Sequence, residues 1–145
     1  MNENLELLMH IYKTSDMGVY STKSLLDTLK TKENKIIHVL EMELKEYEKY
    51  LNISSRLLTK NDITPKGSGM IAKMGSDMGI MMETIKDNSD AAIASMLVEG
   101  LTMGILEMNN KIGKYRSVCD RKTLNLARDL MKFQQNEIEK LKTFI

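Results

Sequence analysis

Asn61-Asp62-Ile63-Thr64-Pro65-Lys66-Gly67-Ser68-Gly69 is the longest breaker-rich run in the chain, and its position decides how the fold is read. It holds the single proline, and glycine is scarce before Gly67. Upstream of it, Ile37, Leu40, Leu44, Tyr47, Leu51, Ser54 and Leu58 recur at spacings of three and four, which predicts a helix over 33–60. Further upstream, Leu5, Leu8, Tyr12, Ser15, Val19, Thr22, Leu26 and Leu29 do the same over 2–30. Downstream, Ala94, Leu97, Leu101, Ile105, Met108, Ile112 and Tyr115 mark 89–115 less regularly. Leu124, Ala127, Met131, Gln134, Ile138, Leu141 and Ile145 mark the last segment. Narrow, mainly apolar stripes of this kind face neighbouring helices in a bundle. Helices one and two are separated only by Thr31-Lys32-Glu33, with Thr31 the expected N-cap of the second. Asn88 or Ser89 caps the third, and Ser117-Val118-Cys119-Asp120 has the S-x-x-D form of a capping signal before the fourth. The connection over 61–88 is far longer than the others. Within it Met70, Met74, Met78 and Met82 fall four apart, which predicts a short extra helix over Met70 to Lys86.

Composition bounds the function. The 145 residues are 42% hydrophobic and 28% charged with net charge +1, which fits one folded domain over 1–145 and argues against nucleic acid as a partner. One cysteine, Cys119, precludes an internal disulfide and suits the cytoplasm. The start, Met1-Asn2-Glu3-Asn4, is not that of a secretory signal, and no uninterrupted apolar run predicts membrane insertion. Phosphate-binding glycine loops, zinc-type cysteine clusters and nucleophile motifs are absent.

Two hairpins joined by one long connection are the layout of a ferritin-like bundle. The chain resembles the ferritin-like, rubrerythrin-type superfamily along nearly its whole length, in particular a bacterial branch of unknown function with degenerate metal motifs. Ile11 to Tyr20 resembles the opening helix, with Asp16 nearest the place of its inward carboxylate. Val39 to Tyr47 resembles the second helix, where the family carries Glu-x-x-His. Met96 to Gly100 resembles the third, with its acid at Glu99, and Phe133 to Leu141 the fourth, again where Glu-x-x-His belongs. The resemblance implies an all-α antiparallel four-helix bundle and, at most, a metal site drawn from Asp16, Glu43, Glu99 and Glu137.

Neither Glu-x-x-His is present. The stripes place Glu43, Asp16 and Glu137 at the flanks of the core and Glu99 away from it, and they leave His10 and His38 solvated. Uncharged groups do fall on the inward stripes: Ser15, Tyr47 and Gln134 near mid-helix, with Tyr12, Thr22 and Ser54. The expectation is a hydrogen-bonded neutral layer of Ser15, Tyr47 and Gln134 in place of a metal pair. No cofactor is then required. The alternative is a metal-binding protein with unusual ligands, holding iron or manganese at the acids or copper at the thioethers of the Met-rich segment.

Other features read the same way. Methionine is also a flexible core filler or an adaptable partner surface. Gly75/Gly79 and Gly100/Gly104 offer close helix packing or a dimer seam. From Lys114 onward eight basic residues face four acids, a solvated basic helix face. Cys119, near a helix start and Arg121, is expected to have a lowered pKa without being catalytic. The sequence therefore predicts a non-enzymatic ferritin-like bundle acting through protein contacts or as a homodimer.

Overall fold

The computed structural model describes residues 2–29, 33–65 and 88–145. Among them are four helices and no strands: α1 (Glu3–Leu29), α2 (Ile37–Lys60), α3 (Asp90–Tyr115) and α4 (Arg121–Lys142). The all-α, four-helix expectation holds. The short helix expected over Met70 to Lys86, with Gly75, Gly79 and the methionine stripe, lies outside the described residues.

Hydrogen bonds fix how the helices run. At one end, the Tyr115 hydroxyl donates to the Glu6 carboxylate (2.6 Å) and the Asp120 amide donates to Asn4 Oδ1 (3.0 Å). α1 therefore starts where α3 ends and α4 begins. At the other end, Asn34 Nδ2 donates to Asn88 O and to Asp90 Oδ1, both at 2.9 Å. α2 and α3 consequently start together and run parallel, although they are consecutive. The main packing is α1 on α2 and α3 on α4; α1 also meets α3 and α4, and α2 meets α4. α2 and α3 lie across the diagonal of the bundle and, among the described residues, their backbones do not approach closely.

Helix starts show where local signals give way to tertiary ones. Ser89 caps α3, its side chain accepting from the Ala92 amide at 3.2 Å. Asp120, not Ser117, caps α4, accepting from the Thr123 amide at 2.7 Å. α2 begins four residues later than the stripe predicts and has no side-chain cap of its own. Asp90 of α3 supplies the acceptors instead, taking the Lys35 amide at 3.1 Å and the Ile36 amide at 3.3 Å.

The inward stripes are rotated relative to the expected ones. In α2 the buried residues are Leu40, Glu43, Tyr47, Tyr50, Ser54 and Leu58, so Glu43 and Tyr50 displace Leu44 and Leu51. In α4, Leu130, Phe133 and Glu137 turn inward beside Gln134, and Ile145 is exposed. α1 buries Leu7, Ile11, Gly18 and Leu25 besides Leu8, Ser15, Val19, Thr22 and Leu29. Each helix meets more than one neighbour, so its buried arc is wider than a two-helix seam and its centre shifts.

α3 departs from the composition reading in another way. It is long and apolar enough to cross a membrane by length and composition, yet only 22% of its most apolar stretch is buried.

Candidate functional site

The core is in two parts. One cluster holds Leu7, Ile11, Val19, Tyr47, Met108, Leu130 and Phe133 among others; the second holds Leu25, Leu29, Leu40, Ile93, Leu101 and Leu141. Along α2, Glu43 falls between Leu40 of the second cluster and Tyr47 of the first. Along α4, Glu137 falls between Leu141 and Phe133 in the same way. A polar layer thus interrupts the apolar interior, and two carboxyl groups stand in it.

Both acids are 2% exposed, which overturns their expected flank positions. The rotation of α2 and α4 toward each other carries them inward. Gln134, 3% exposed, donates from Nε2 to the Tyr47 hydroxyl at 3.4 Å. Lys140 reaches in from an exposed position and places its ammonium 3.1 Å from Glu137 Oε1. Glu43 Oε2, Glu137 Oε2 and Gln134 Oε1 are all buried without a partner. Three acceptors with no donor among them are unfavourable in a dry interior unless a proton or a cation joins them.

Electrostatics select the proton. Burial, and then the neighbouring Glu137, push the Glu43 carboxyl up to about 8, so it is mostly protonated at neutral pH. Burial also raises Glu137, while the hydrogen bond and charge of Lys140 act in the opposite sense and favour its ionised form. Tyr47 is raised by burial first and by Glu43 next, so its hydroxyl stays neutral. The layer is thus a neutral acid, a carboxylate neutralised by lysine, a phenol and an amide.

The remaining expected members fall elsewhere. Ser15 is buried, but its hydroxyl donates to Ile11 O (2.7 Å) and does not join Tyr47 or Gln134. Thr22 and Ser54 likewise donate to Gly18 O (2.6 Å) and Tyr50 O (2.7 Å) of their own helices. Asp16 is half-buried and Glu99 exposed. Burial raises Asp16 and lowers His10. Among the described residues no three of His, Cys, Asp and Glu come together as metal ligands. Cys119 reverses its expectation: burial, Asp120 and Glu3 raise its pKa, and its thiol donates to Glu3 O at 3.6 Å.

Two glycines shape the layer. A Cβ on Gly18 would enter the Tyr47 ring, and one on Gly104 would sit 3.3 Å from Gln134 Nε2. Gly104 therefore serves internal packing, whereas a Cβ on Gly100 would meet nothing within 4 Å. Phe133 braces Tyr47 edge-on, ring centroids 5.1 Å apart, and stacks with Tyr50 at 6.1 Å. An open groove of about 390 Å³ runs along the α2–α4 seam, with Glu137 and Lys140 in its wall.

The donor set does not fit a di-metal pair. It offers two carboxylates from two helices, no imidazole, and a lysine already neutralising one acid; such a pair needs ligands from four helices. Sequence reasoning missed the inward turn of Glu43 and Glu137. No local signal marks this turn: Glu137 precedes Lys140 by the spacing of a neutralising helical pair, but Glu46–Lys49 and Glu139–Lys142 have the same spacing and are exposed, and Glu43 is followed at that spacing by Glu46. No protein-family model, curated protein or solved structure matches this chain.

Proposed function

We propose that the chain is a ferritin-like bundle that has lost its di-metal centre and acts without catalysis, through contacts with protein. The observation that carries this reading is the Lys140 ammonium on Glu137. The resemblance puts a metal-binding histidine three residues after that acid; here a fixed cation takes the place and neutralises the would-be ligand. The parallel course of α2 and α3, with their starts held together through Asn34 and Asp90, supports the ferritin-like part of the reading. Where α1 and α3 meet the layer they present glycine rather than an acid, Gly18 against the Tyr47 ring and Gly104 against Gln134, and the acids the resemblance points to on those helices are half-buried Asp16 and exposed Glu99.

A second reading takes the three unpartnered oxygens as acceptors for one hard cation bound by Glu43, Glu137 and Gln134. Elemental analysis of protein purified without chelators separates the two. Metal far below one per chain is expected. Near-stoichiometric iron, manganese or another divalent ion overturns the loss of the metal centre.

A further inference from the structure

Among the described residues, Lys140 is the only cation whose ammonium rests on a buried acid. It stands 3.1 Å from Glu137 Oε1, with its own side chain 55% exposed and that of Glu137 2%. The other two ion pairs, Lys49 on Glu46 and Lys142 on Glu139, join exposed side chains. Lys140 thus reaches from solvent, in the wall of the α2–α4 groove, to the edge of the polar layer. Behind it the layer has acceptors to spare. Glu43 Oε2, Glu137 Oε2 and Gln134 Oε1 are enclosed without a partner. The Tyr47 hydroxyl ties their residues into one cluster, since it accepts from Gln134 Nε2 and feels the charge of both carboxyl groups. Carboxylate and amide oxygens are hard donors of the kind that suit magnesium, calcium and manganese. The donor set that fails for a di-metal pair therefore suits a single ion with water completing its shell, apart from the ammonium already there.

We infer that Lys140 is a tethered plug: its ammonium supplies from within the chain the charge of a single divalent cation at Glu43, Glu137 and Gln134, and the layer takes such an ion once that ammonium is removed. Charge balance carries the argument. Lys140 neutralises Glu137, and removing it leaves a buried carboxylate with nothing opposite, a costly state. A proton or an ion can relieve that charge. One bound proton gives the three acceptors a single donor, whereas one ion serves all three. Loss of the lysine stem also opens the groove wall beside Glu137, which gives an ion its entry path.

The inference rests on the reading that the wild-type chain has lost its metal, and the test separates the two. Full-length wild type, K140Q, K140R and K140Q/E43Q are stripped with chelator and titrated with Mn2+ alone, the free ion being read by electron paramagnetic resonance. K140Q is expected to bind about one Mn2+ per chain, about tenfold or more tightly than wild type, and to rise in urea midpoint with the ion. K140R keeps the charge and should behave as wild type, while K140Q/E43Q should lose the gained affinity. If K140Q is unfolded without the ion, Mn2+ is expected to restore its helical circular dichroism. A K140Q protein that binds no better than wild type, or stays unfolded in Mn2+, overturns the inference. So does a gain that E43Q leaves intact, which would put the ion on the groove acids Glu46 and Asp129. Stoichiometric metal in wild type purified without chelators overturns the lost metal centre and the plug together; an unresponsive K140Q beside a metal-free wild type overturns the plug alone.

Discussion

Glu43 is almost fully enclosed, and its enclosure has an electrostatic consequence. Its carboxyl sits at about 8 in the folded chain against an ordinary 4.5, so between those values the native state holds a proton that the unfolded chain has released. The unfolded state then binds fewer protons, and stability falls as pH rises through that window. The contribution is complete below about 4.5 and lost above about 8, with a slope of at most roughly 1.4 kcal/mol per pH unit. Glu43→Gln replaces the protonated acid with an uncharged side chain of the same shape that keeps a donor. Urea unfolding from pH 6 to pH 9 should show wild type weakening and E43Q nearly level, so the variant is the more stable at the alkaline end. Parallel pH profiles for the two proteins would mean that Glu43 is ionised throughout. Gln134 stands in the same layer, its amide nitrogen committed to Tyr47 and its oxygen buried without a partner.

Helices begin here by two different means. α3 and α4 are capped from their own sequence by Ser89 and Asp120, whereas α2 depends on a carboxylate from another helix. Asp90 collects the Asn34 side chain and two backbone amides, and so ties the α1–α2 hairpin to the α3–α4 hairpin at one end. Replacing Asp90 by alanine removes a cap and a tether together. The expected loss is about 1–3 kcal/mol of unfolding free energy, against about 1 kcal/mol for Asp120→Ala, whose bonds are nearer in sequence. Chemical denaturation of both variants checks the order. An Asp90→Ala protein as stable as wild type would show that water replaces the acceptors at little cost. The Asp120 carboxyl is held below its ordinary value, chiefly by the hydrogen bond from the Thr123 amide, so its contribution is present at neutral pH and lost as pH falls into the acid range.

At the scale of the molecule, the polar layer divides one core into two clusters. If no metal occupies it, the layer is dispensable for folding, and joining the clusters with apolar side chains should strengthen the bundle. Buried ionic groups replaced by well-packed apolar residues commonly leave stability unchanged or raise it by about 1–4 kcal/mol. The double variant E43L/E137L frees Lys140, which is already 55% exposed and returns to water without penalty. Its urea midpoint is expected above that of wild type at pH 8, with helical content unchanged. Loss of helical structure in this variant would show that the acids organise the packing of α2 on α4 rather than interrupt it.

Class, the four long helices and the extent of most described elements are legible in the sequence, because a period of 3.6 is a property of each segment alone. Leu8, Leu29, Leu40, Leu58, Ala127 and Leu141 are placed in the core by that period and are buried. The exposed position of Glu99 follows from it as well. The candidate site was only half legible. Tyr47 and Gln134 fall on their stripes, but Glu43 and Glu137 do not, since the stripe fixes a helix face only to within a fraction of a turn. Which part of that face is innermost depends on where the other helices stand. Packing α2 against both α1 and α4 rotates Glu43 and Tyr50 inward at the expense of Leu44 and Leu51. The same rotation in α4 buries Glu137 beside Lys140, and burial, a property of the assembled bundle, then gives Glu43 its proton. Periodicity thus set the helices, and the environment that turns two ordinary glutamates into a buried pair arose only from their assembly.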